Sequence, residues 1–369
     1  MVPKPTEREP QTERATGREG IIMTKRAFPI CLWAGLVVIS AALGSWPGSA
    51  AQIAASIEYD FVARPTGLSP DFDRSESNSL RFLAIKAIDG FQVDAALWQP
   101  SGKQAADTTL IVMVHGSGGS YRQAPQSGLG PRLAAKGYAS LAIDTRQHDD
   151  KINTDNFLDV RRDIDAAVQT GRALGYKTLI LLGHSLGNIQ VQFYAATNWD
   201  RDTKAVVLLG AFANLPWKSR NILVQDEERY RQLAEASMKS LRDGTLDQVL
   251  PVKMRFSTPV SSAAAEAPMT GQHFLTYRWE QTSVADGTYW IRRIPNPILM
   301  IRDQSDAAIA PFEPHMLLSA AHSEGALPPK VDFILLPDAK PPSLKGHSFD
   351  GNEQPLTDAI AKWLAELHI

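Results

Sequence analysis

The chain has 369 residues, 44% hydrophobic and 21% charged, with a formal net charge of −2. This is ordinary globular composition, and the lack of a basic excess excludes a nucleic-acid footprint and a basic patch for an anionic membrane. A single cysteine, Cys31, excludes a disulfide framework and a Cys-based metal site.

Residues 1–20 are polar and charged, lack an apolar period and read as a disordered tail. From Met23 the pattern becomes that of a secretory signal. Lys25 and Arg26 form the basic region and Ala27–Leu43 the apolar run; Ser49 and Ala51 stand where a signal peptidase reads small residues. The run of 17 residues is short for a membrane span. Cleavage is therefore favoured over a retained anchor, and translation is expected to start at Met23. The expectation is an exported chain, periplasmic or extracellular, with no stable membrane anchor. Loss of residues 1–51 would also remove Cys31 and leave 318 residues, enough to build a sizeable core without cross-links.

Residues 80–100 are two alternating runs around Asp89-Gly90, the signature of an antiparallel hairpin with a tight turn. Residues 108–116, TTLIVMVHG, are a continuous apolar strand, as expected for a sheet covered on both faces. A helix is expected over 130–139, with Pro131 near its start and Gly137 past its end. A strand follows at 140–146, then an amphipathic helix at 156–175 with Leu158, Ile164, Val168 and Leu174 on one face. A strand at 177–183, a helix at 186–198 and a strand at 204–211 complete the first series. The alternation predicts an α/β protein with a doubly wound, mostly parallel sheet.

Between Phe212 and Asn296 the alternation stops. This stretch holds an amphipathic helix at 227–244, with Tyr230, Leu233, Met238 and Leu241 on one face, and many aromatics: Trp217, Phe256, Phe274, Tyr277, Trp279, Tyr289 and Trp290. Strand patterns resume at 296–303 and 330–338, and a helix closes the chain at 356–367. The organisation expected is a core of residues 52–211 and 297–369 interrupted by a helical lid, 212–296, inserted after the sixth core strand. An insertion of this length usually has a task. Its aromatics would either line a pocket or form the lid's own core.

At the end of the strand at 177–183 the sequence reads GHSLG. A serine between two glycines, after a buried strand and before a helix, is the context in which G-x-S-x-G presents a nucleophile. The hydroxyl of Ser185 would stand at the carboxyl edge of the sheet, beside a helix N-terminus that favours developing negative charge. The alternative, a phosphate-binding turn, lacks the lysine and spacing of a P-loop and the glycines of a dinucleotide site.

A serine nucleophile needs a base, and the base an orienting acid. Catalytic groups of a doubly wound sheet lie beyond the carboxyl ends of its strands. His347, between the last strand and the last helix, meets that condition. His115 ends a strand and should bond locally; His184 should point sideways into the fold; His273 lies in the insertion, His315 and His322 in a probable helix, and His368 at the terminus. For the acid, Asp303 abuts a strand end, whereas Asp306, further along the same loop, is better placed to reach His347; Asp338 is the runner-up and Asp332 lies within a strand pattern. The loop HGSGGSY, 115–121, follows the strand at 108–116. It suits an oxyanion hole made of the backbone N–H groups of Ser117 and Leu186.

Together these motifs resemble the α/β-hydrolase superfamily over residues 80–369. They are VHGSGGS after a strand, GHSLG at the elbow, a lid, DQSDAAIAP after the next strand and GHSF after the last. The order Ser, Asp, His is that family's. The resemblance implies Ser185 as nucleophile, Asp306 as acid, His347 as base, and Ser117 and Leu186 as oxyanion donors. The chain departs from the family at Asp303, where many members have glycine, which leaves Asp303 open as the acid. A serine at the elbow argues against dehalogenase or epoxide-hydrolase chemistry; the lid and elbow look most like those of single-domain carboxylesterases.

The expected function is cleavage of a small-molecule carboxylic ester through an acyl-enzyme. No cofactor, no metal and no nucleic-acid partner is expected: there is no H-E-x-x-H and no carboxylate cluster with ligand spacing. A peptidase or amidase with the same triad is one rival; it would want an acid such as Glu227 or Glu228 facing Ser185. An acyltransferase and a non-catalytic binding protein on the same fold are the others.

Overall fold

The apolar runs between residues 80 and 336 become strands in the computed structural model, which describes residues 57–68, 72, 78–258, 261–337 and 341–369. The strands are β1 (Glu58–Val62), β2 (Asn78–Lys86), β3 (Gln92–Pro100), β4 (Thr109–Val114), β5 (Ala139–Ile143), β6 (Thr178–His184), β7 (Thr203–Leu209), β8 (Met254–Thr258), β9 (Ser261–Ala267), β10 (Ile298–Asp303) and β11 (Val331–Leu336). Nine of them make one sheet in the order β1-β2-β3-β5-β4-β6-β7-β10-β11. From β5 to β11 all neighbours in this sheet are parallel. β1, β2 and β3 form an antiparallel margin, and β3 is also antiparallel to β5. The described residues belong to the unit Ala55–Ile369. The expected tail, signal and start at Met23 lie outside the described residues, as does Asp338. Among the described residues no helix is long and apolar enough to cross a membrane.

The longer helices are α1 (Gln126–Ala135), α2 (Val160–Ala173), α3 (Leu186–Asn198), α5 (Glu227–Asp243), α8 (Glu313–Ala321) and α10 (Glu353–Glu366); α4 (Leu215–Lys218), α6 (Gly271–His273), α7 (Gly287–Ile291) and α9 (Leu344–His347) are single turns. Successive side chains of a strand point to opposite faces, and β4 shows the result. Leu110, Val112 and Val114 pack with Ile164 and Val168 of α2, Val191 of α3 and Leu317 of α8. Ile111 and Met113 pack with Leu129 and Leu133 of α1 and with Leu356, Ile360 and Trp363 of α10. Both faces are therefore covered, which is why β4 carries no polar alternation. Burying each such side chain contributes about 1.5–3 kcal/mol relative to leaving it exposed.

Three local expectations are corrected. Helix α1 begins at Gln126 rather than Gly130, so Pro131 lies inside it; Ser127 and Leu129 already bond back to Gln123 and Pro125. Leu158 and Leu241, expected on apolar faces, are largely exposed. Leu158 falls in a separate turn before α2, and the apolar face of α5 is carried by Tyr230 and Leu233.

Between β7 and β10 the chain leaves the sheet. The expected helical character of this stretch also needs correction, because β8 and β9 form a separate antiparallel pair within it. Tyr230, Leu233, Leu250, Met254, Met269 and Phe274 give it a hydrophobic cluster of its own. Its two ends are pinned together: Leu215 N–H donates to Ala285 O at 3.0 Å and Gly287 N–H to Ala213 O at 2.8 Å. It is fastened to the core by the loop between β5 and α2. There Asp155 accepts from Tyr277 Oη at 2.6 Å and from His273 Nδ1 at 3.1 Å, and Asn153 Oδ1 accepts from Arg278 Nη2 at 3.0 Å.

Gly130 of α1 lies against the buried Trp98, and a Cβ there would stand 2.4 Å from the indole ring. Gly130→Ala is expected to destabilise by about 1–3 kcal/mol through overpacking. Gly128→Ala on the same helix would meet the end of the Arg132 side chain at 3.3 Å and Glu353 Cγ at 3.8 Å, and should gain up to about 1 kcal/mol of helix propensity. Urea denaturation of the pair checks this; equal effects would contradict the packing argument.

Candidate active site

Ser185 occupies the turn between β6 and α3 with φ 53° and ψ −120°. Such a conformation at a non-glycine residue costs on the order of 1–3 kcal/mol and persists only where its surroundings enforce it. Here Ser185 N–H donates to Leu209 O at 3.0 Å, and Asn188 Nδ2 donates to the same oxygen at 2.8 Å. The flanking glycines are required by close approach. A Cβ on Gly183 would stand 2.4 Å from the Gly187 oxygen, and one on Gly187 would stand 2.5 Å from the Val114 oxygen. Strand, turn and helix thus cross without room for a side chain, and the serine hydroxyl is turned outward.

His347 ends α9, and its Nδ1 lies 2.9 Å from Asp306 Oδ2. A carboxylate only accepts, so Nδ1 carries the proton and Nε2 is the basic nitrogen. The other oxygen, Asp306 Oδ1, accepts from the backbone N–H of Ala308 at 2.8 Å and Ile309 at 3.1 Å. Burial pushes the Asp306 carboxyl up, but the charge and hydrogen bond of His347 and these two N–H donors outweigh it and hold it below its ordinary value. Asp303 is engaged elsewhere: Oδ1 takes the N–H and hydroxyl of Ser305, each at 2.8 Å, and Oδ2 takes Asn352 Nδ2 at 2.8 Å. Of the two aspartates, Asp306 meets His347. No hydrogen bond joins Ser185 Oγ to His347 among the described residues; such contacts are commonly loose without substrate.

Two residues that the sequence reading did not single out brace the acid loop. Arg302 Nη2 donates to the Asp306 oxygen at 2.8 Å and the Ile309 oxygen at 3.1 Å. Lys218, from the stretch after β7, donates to the Ala308 oxygen at 3.0 Å and pairs with the buried Glu313 at 2.6 Å. An arginine inside an otherwise apolar strand was a visible signal for the first; nothing local marked the second.

The other histidines are placed as follows. His115 is buried: Nε2 accepts the Thr145 N–H at 3.0 Å, so Nδ1 carries the proton and donates to Gly116 O at 2.6 Å. Burial pulls its pKa down to about 4. His184 does turn into the fold, where its Nε2 lies 2.9 Å from the carbonyl oxygen of His347. Burial first, and then the His347 charge, pull its pKa to about 3. His273 pairs with Asp155. His315 lies in α8 and His322 caps it, while His368 follows α10.

Ser185, Ser117 and Leu186 line one cavity of about 310 Å³ together with Ile152, Phe212, Leu215, Lys218, Leu223, Arg278, Ala308 and Ile309. Leu186 opens α3, so its N–H has no acceptor within the helix. Gly116 lies hard against Ser185: a Cβ there would be 2.8 Å from Ser185 Cβ. The walls are apolar. The only aromatic among the lining residues is Phe212; Phe274 and Tyr277 are buried in the fold, and Trp217 packs edge-on against Phe312. The aromatics of this stretch are thus divided: Phe274 joins its own cluster, whereas Tyr277 and Trp290 pack on Phe157 and Phe193 of the core. Arg278, whose pKa burial lowers to about 10, contributes the charged edge of the wall. Glu227 pairs with Arg220, and Glu228 with Arg231, on exposed surface; neither lines the cavity.

One group of possible metal ligands is present among the described residues: Asp144, His148 and Asp149, with donor atoms within 4.8 Å of one another. Lys151 Nζ lies 3.2 Å from His148 Nε2 and already places a cation there, and Asp144 Oδ1 accepts the Tyr121 N–H at 2.7 Å.

A family model described as alpha/beta hydrolase fold matches residues 109–339. Among solved structures, Est1E from Butyrivibrio proteoclasticus with ferulic acid bound aligns at 19% identity, covering 75% of this chain and 96% of that one, with a TM-score of 0.54. A hypothetical protein, PA2218, from Pseudomonas aeruginosa aligns at 16% identity over 82% and 99% of the two chains, with a TM-score of 0.60. An acetyl xylan esterase from Paenibacillus sp. R4 aligns at 15% identity over 82% and 88%, with a TM-score of 0.51. Comparison with curated proteins yields no match.

The buried His115 makes a pH prediction. Its folded pKa of about 4 lies below the ordinary imidazole value of 6.5, so between these values the unfolded chain binds a proton that the folded chain does not. Its contribution is complete above pH 6.5 and is lost as pH falls toward 4, on the order of 3 kcal/mol across the window. The buried carboxyls of Asp144 and Asp163, raised by desolvation to about 7 and about 6, act in the opposite sense, so the difference between wild type and His115→Gln is the quantity to measure. In urea titrations the variant should lose less stability than wild type on acidification from pH 6.5 to 4. Parallel curves would contradict the assignment.

Proposed function

The chain belongs to the alpha/beta hydrolase family, and from that premise we propose that it is an esterase that cleaves carboxylic esters through an acyl-enzyme on Ser185. The observation that carries the reading is the conjunction of a strained serine opening into an apolar cavity with the His347–Asp306 hydrogen bond of 2.9 Å.

In this mechanism Ser185 Oγ attacks the ester carbonyl carbon as His347 Nε2 takes its proton. Asp306 holds the imidazole tautomer and stabilises the imidazolium. The carbonyl oxygen becomes an oxyanion that accepts from the N–H groups of Ser117 and Leu186, each donor contributing about 10²- to 10³-fold in rate. Collapse breaks the bond to the alcohol oxygen, which receives the proton from His347. Water, deprotonated by the same nitrogen, attacks the acyl carbon; the acid leaves and Ser185 recovers its proton. The cavity of about 310 Å³ with apolar walls suits a medium-chain or aromatic acyl group, of the size of the ferulic acid that Est1E binds. The exposed pairing of Glu227 and Glu228 leaves the peptidase reading without the acid it would want.

Labelling by a fluorophosphonate probe, beside hydrolysis of nitrophenyl esters of graded acyl size, tests the reading. Labelling and turnover should vanish in Ser185→Ala. Asp306→Asn should lower kcat by about 10⁴-fold, while Asp303→Asn should keep its labelling and lose stability. Medium or aromatic esters should outrun acetyl esters. A folded wild type that neither labels nor turns over would refute the esterase.

We also propose that the protein is exported and that the signal over Met23–Ala51 is removed. N-terminal sequencing of protein recovered from a bacterial periplasm should begin near Gln52; a chain retained in the cytoplasm with residues 23–51 intact would refute export.

A further inference from the structure

His184 has a place in the site that neither its type nor its position in GHSLG announced. It is bonded covalently to the nucleophile, since it precedes Ser185 in the chain. Its Nε2 lies 2.9 Å from the main-chain oxygen of His347, 163 residues away in sequence. Its ring also lies on the ring of His347, with centroids 4.8 Å apart at an interplanar angle of 40°, and approaches Phe349 edge-on at 6.5 Å. It also lies near Gly116, where a Cβ would stand 3.4 Å from His184 Nδ1. One side chain thus contacts the base while its backbone continues into the nucleophile.

The hydrogen bond has a defined direction. A carbonyl oxygen only accepts, so His184 carries its proton on Nε2 and donates. The ring is buried, and its neutral form persists through the neutral range because burial and the neighbouring His347 hold its pKa near 3. It therefore presents one fixed donor to the main chain of His347.

The constraint matters because the base is carried on a short element. His347 ends a single helical turn, Leu344–His347, followed by Phe349 at φ 60°. Its side chain is bonded to Asp306 and lies close to Gly210, where a Cβ would stand 3.1 Å from the ring. A second anchor, at its own carbonyl, is supplied from the residue next to the nucleophile. Small errors here are expensive: misplacement by about 1 Å can cost about 10²-fold in rate.

We propose that His184 is a positioning residue, tethering the main chain of His347 to the nucleophile turn and thereby holding the base in register with Ser185. The proposal rests on the assignment of Ser185 and His347 as nucleophile and base. It does not require His184 to touch substrate or to exchange a proton.

The test compares His184→Phe, which keeps a ring and removes the donor, with His184→Gln, whose side-chain amide restores a donor near the Nε2 position. His184→Phe should lower kcat by about tenfold or more, with KM changed by less than about twofold, because register and not binding is lost. His184→Gln should recover most of that loss. An independent arm is the His347 Nδ1–H resonance in protein labelled with ¹⁵N-histidine. It should be sharp in wild type, broadened or shifted in His184→Phe, and restored in His184→Gln. This resonance requires no turnover, so it decides the tether even if the esterase reading fails. An unchanged resonance and kcat in His184→Phe would overturn the proposal. So would equal losses in both variants that track their Tm, since that pattern belongs to packing alone.

Discussion

The site depends on a steric constraint before it depends on any catalytic group. At the end of β6 the backbone of Gly183 meets that of Gly187, and Gly187 meets the end of β4, at distances that exclude a single carbon atom. This crossing forces Ser185 into a left-handed conformation and turns its hydroxyl away from the sheet. The same closeness brings Gly116 and the loop after β4 down onto the serine. The cost of the strained residue falls on a sheet whose central strands are buried on both faces, and that is why it can be borne.

Around this fixed turn the remaining groups are supplied by loops and secured by polar contacts rather than by packing. The acid loop is held from three sides: by Arg302 from the preceding strand, by Lys218 from the stretch after β7, and by the N–H groups of its own residues Ala308 and Ile309. Each contact leads back to Asp306 or its immediate neighbours. Lys218 and Glu313 are both buried, and breaking one member of such a pair is costly because it leaves an uncompensated charge. The loop that carries Asp306 is accordingly both buried and bonded at several points.

The strands were legible because each buried strand is a continuous apolar run, and the elbow because two glycines interrupt such a run around a serine. His347 and Asp306 were legible by position, since only a few polar residues follow strand ends in the right order. Asp303 shows the limit of that argument: both aspartates sit in one loop, and only the hydrogen bonds to Ser305 and Asn352 separate a loop organiser from the partner of His347. The start of α1 was misplaced because Pro131 resembles a first-turn proline, whereas the contact of Gly130 with Trp98 sets how the helix lies. The contacts of His184, Lys218 and Arg278 were out of reach, because each joins segments tens to more than a hundred residues apart and leaves no periodicity. The hairpin of β8 and β9 was missed for a different reason: it pairs only with itself, so nothing required it to read as a buried strand.

The stretch between β7 and β10 leaves and re-enters the core at one place, where Ala213–Leu215 is bridged to Ala285–Gly287. The strands on either side, β7 and β10, are hydrogen-bonded neighbours in the sheet. The excursion also has its own hydrophobic cluster. Its length is therefore set by the bridge and not by the sheet, but its content is not free. Lys218 lies within it, holds the Ala308 oxygen and pairs with the buried Glu313. A different excursion grafted between the same bridged residues would have to return a cation to Glu313, or leave a buried charge without its partner. The sheet tolerates an exchange at this point that the Asp306 loop does not.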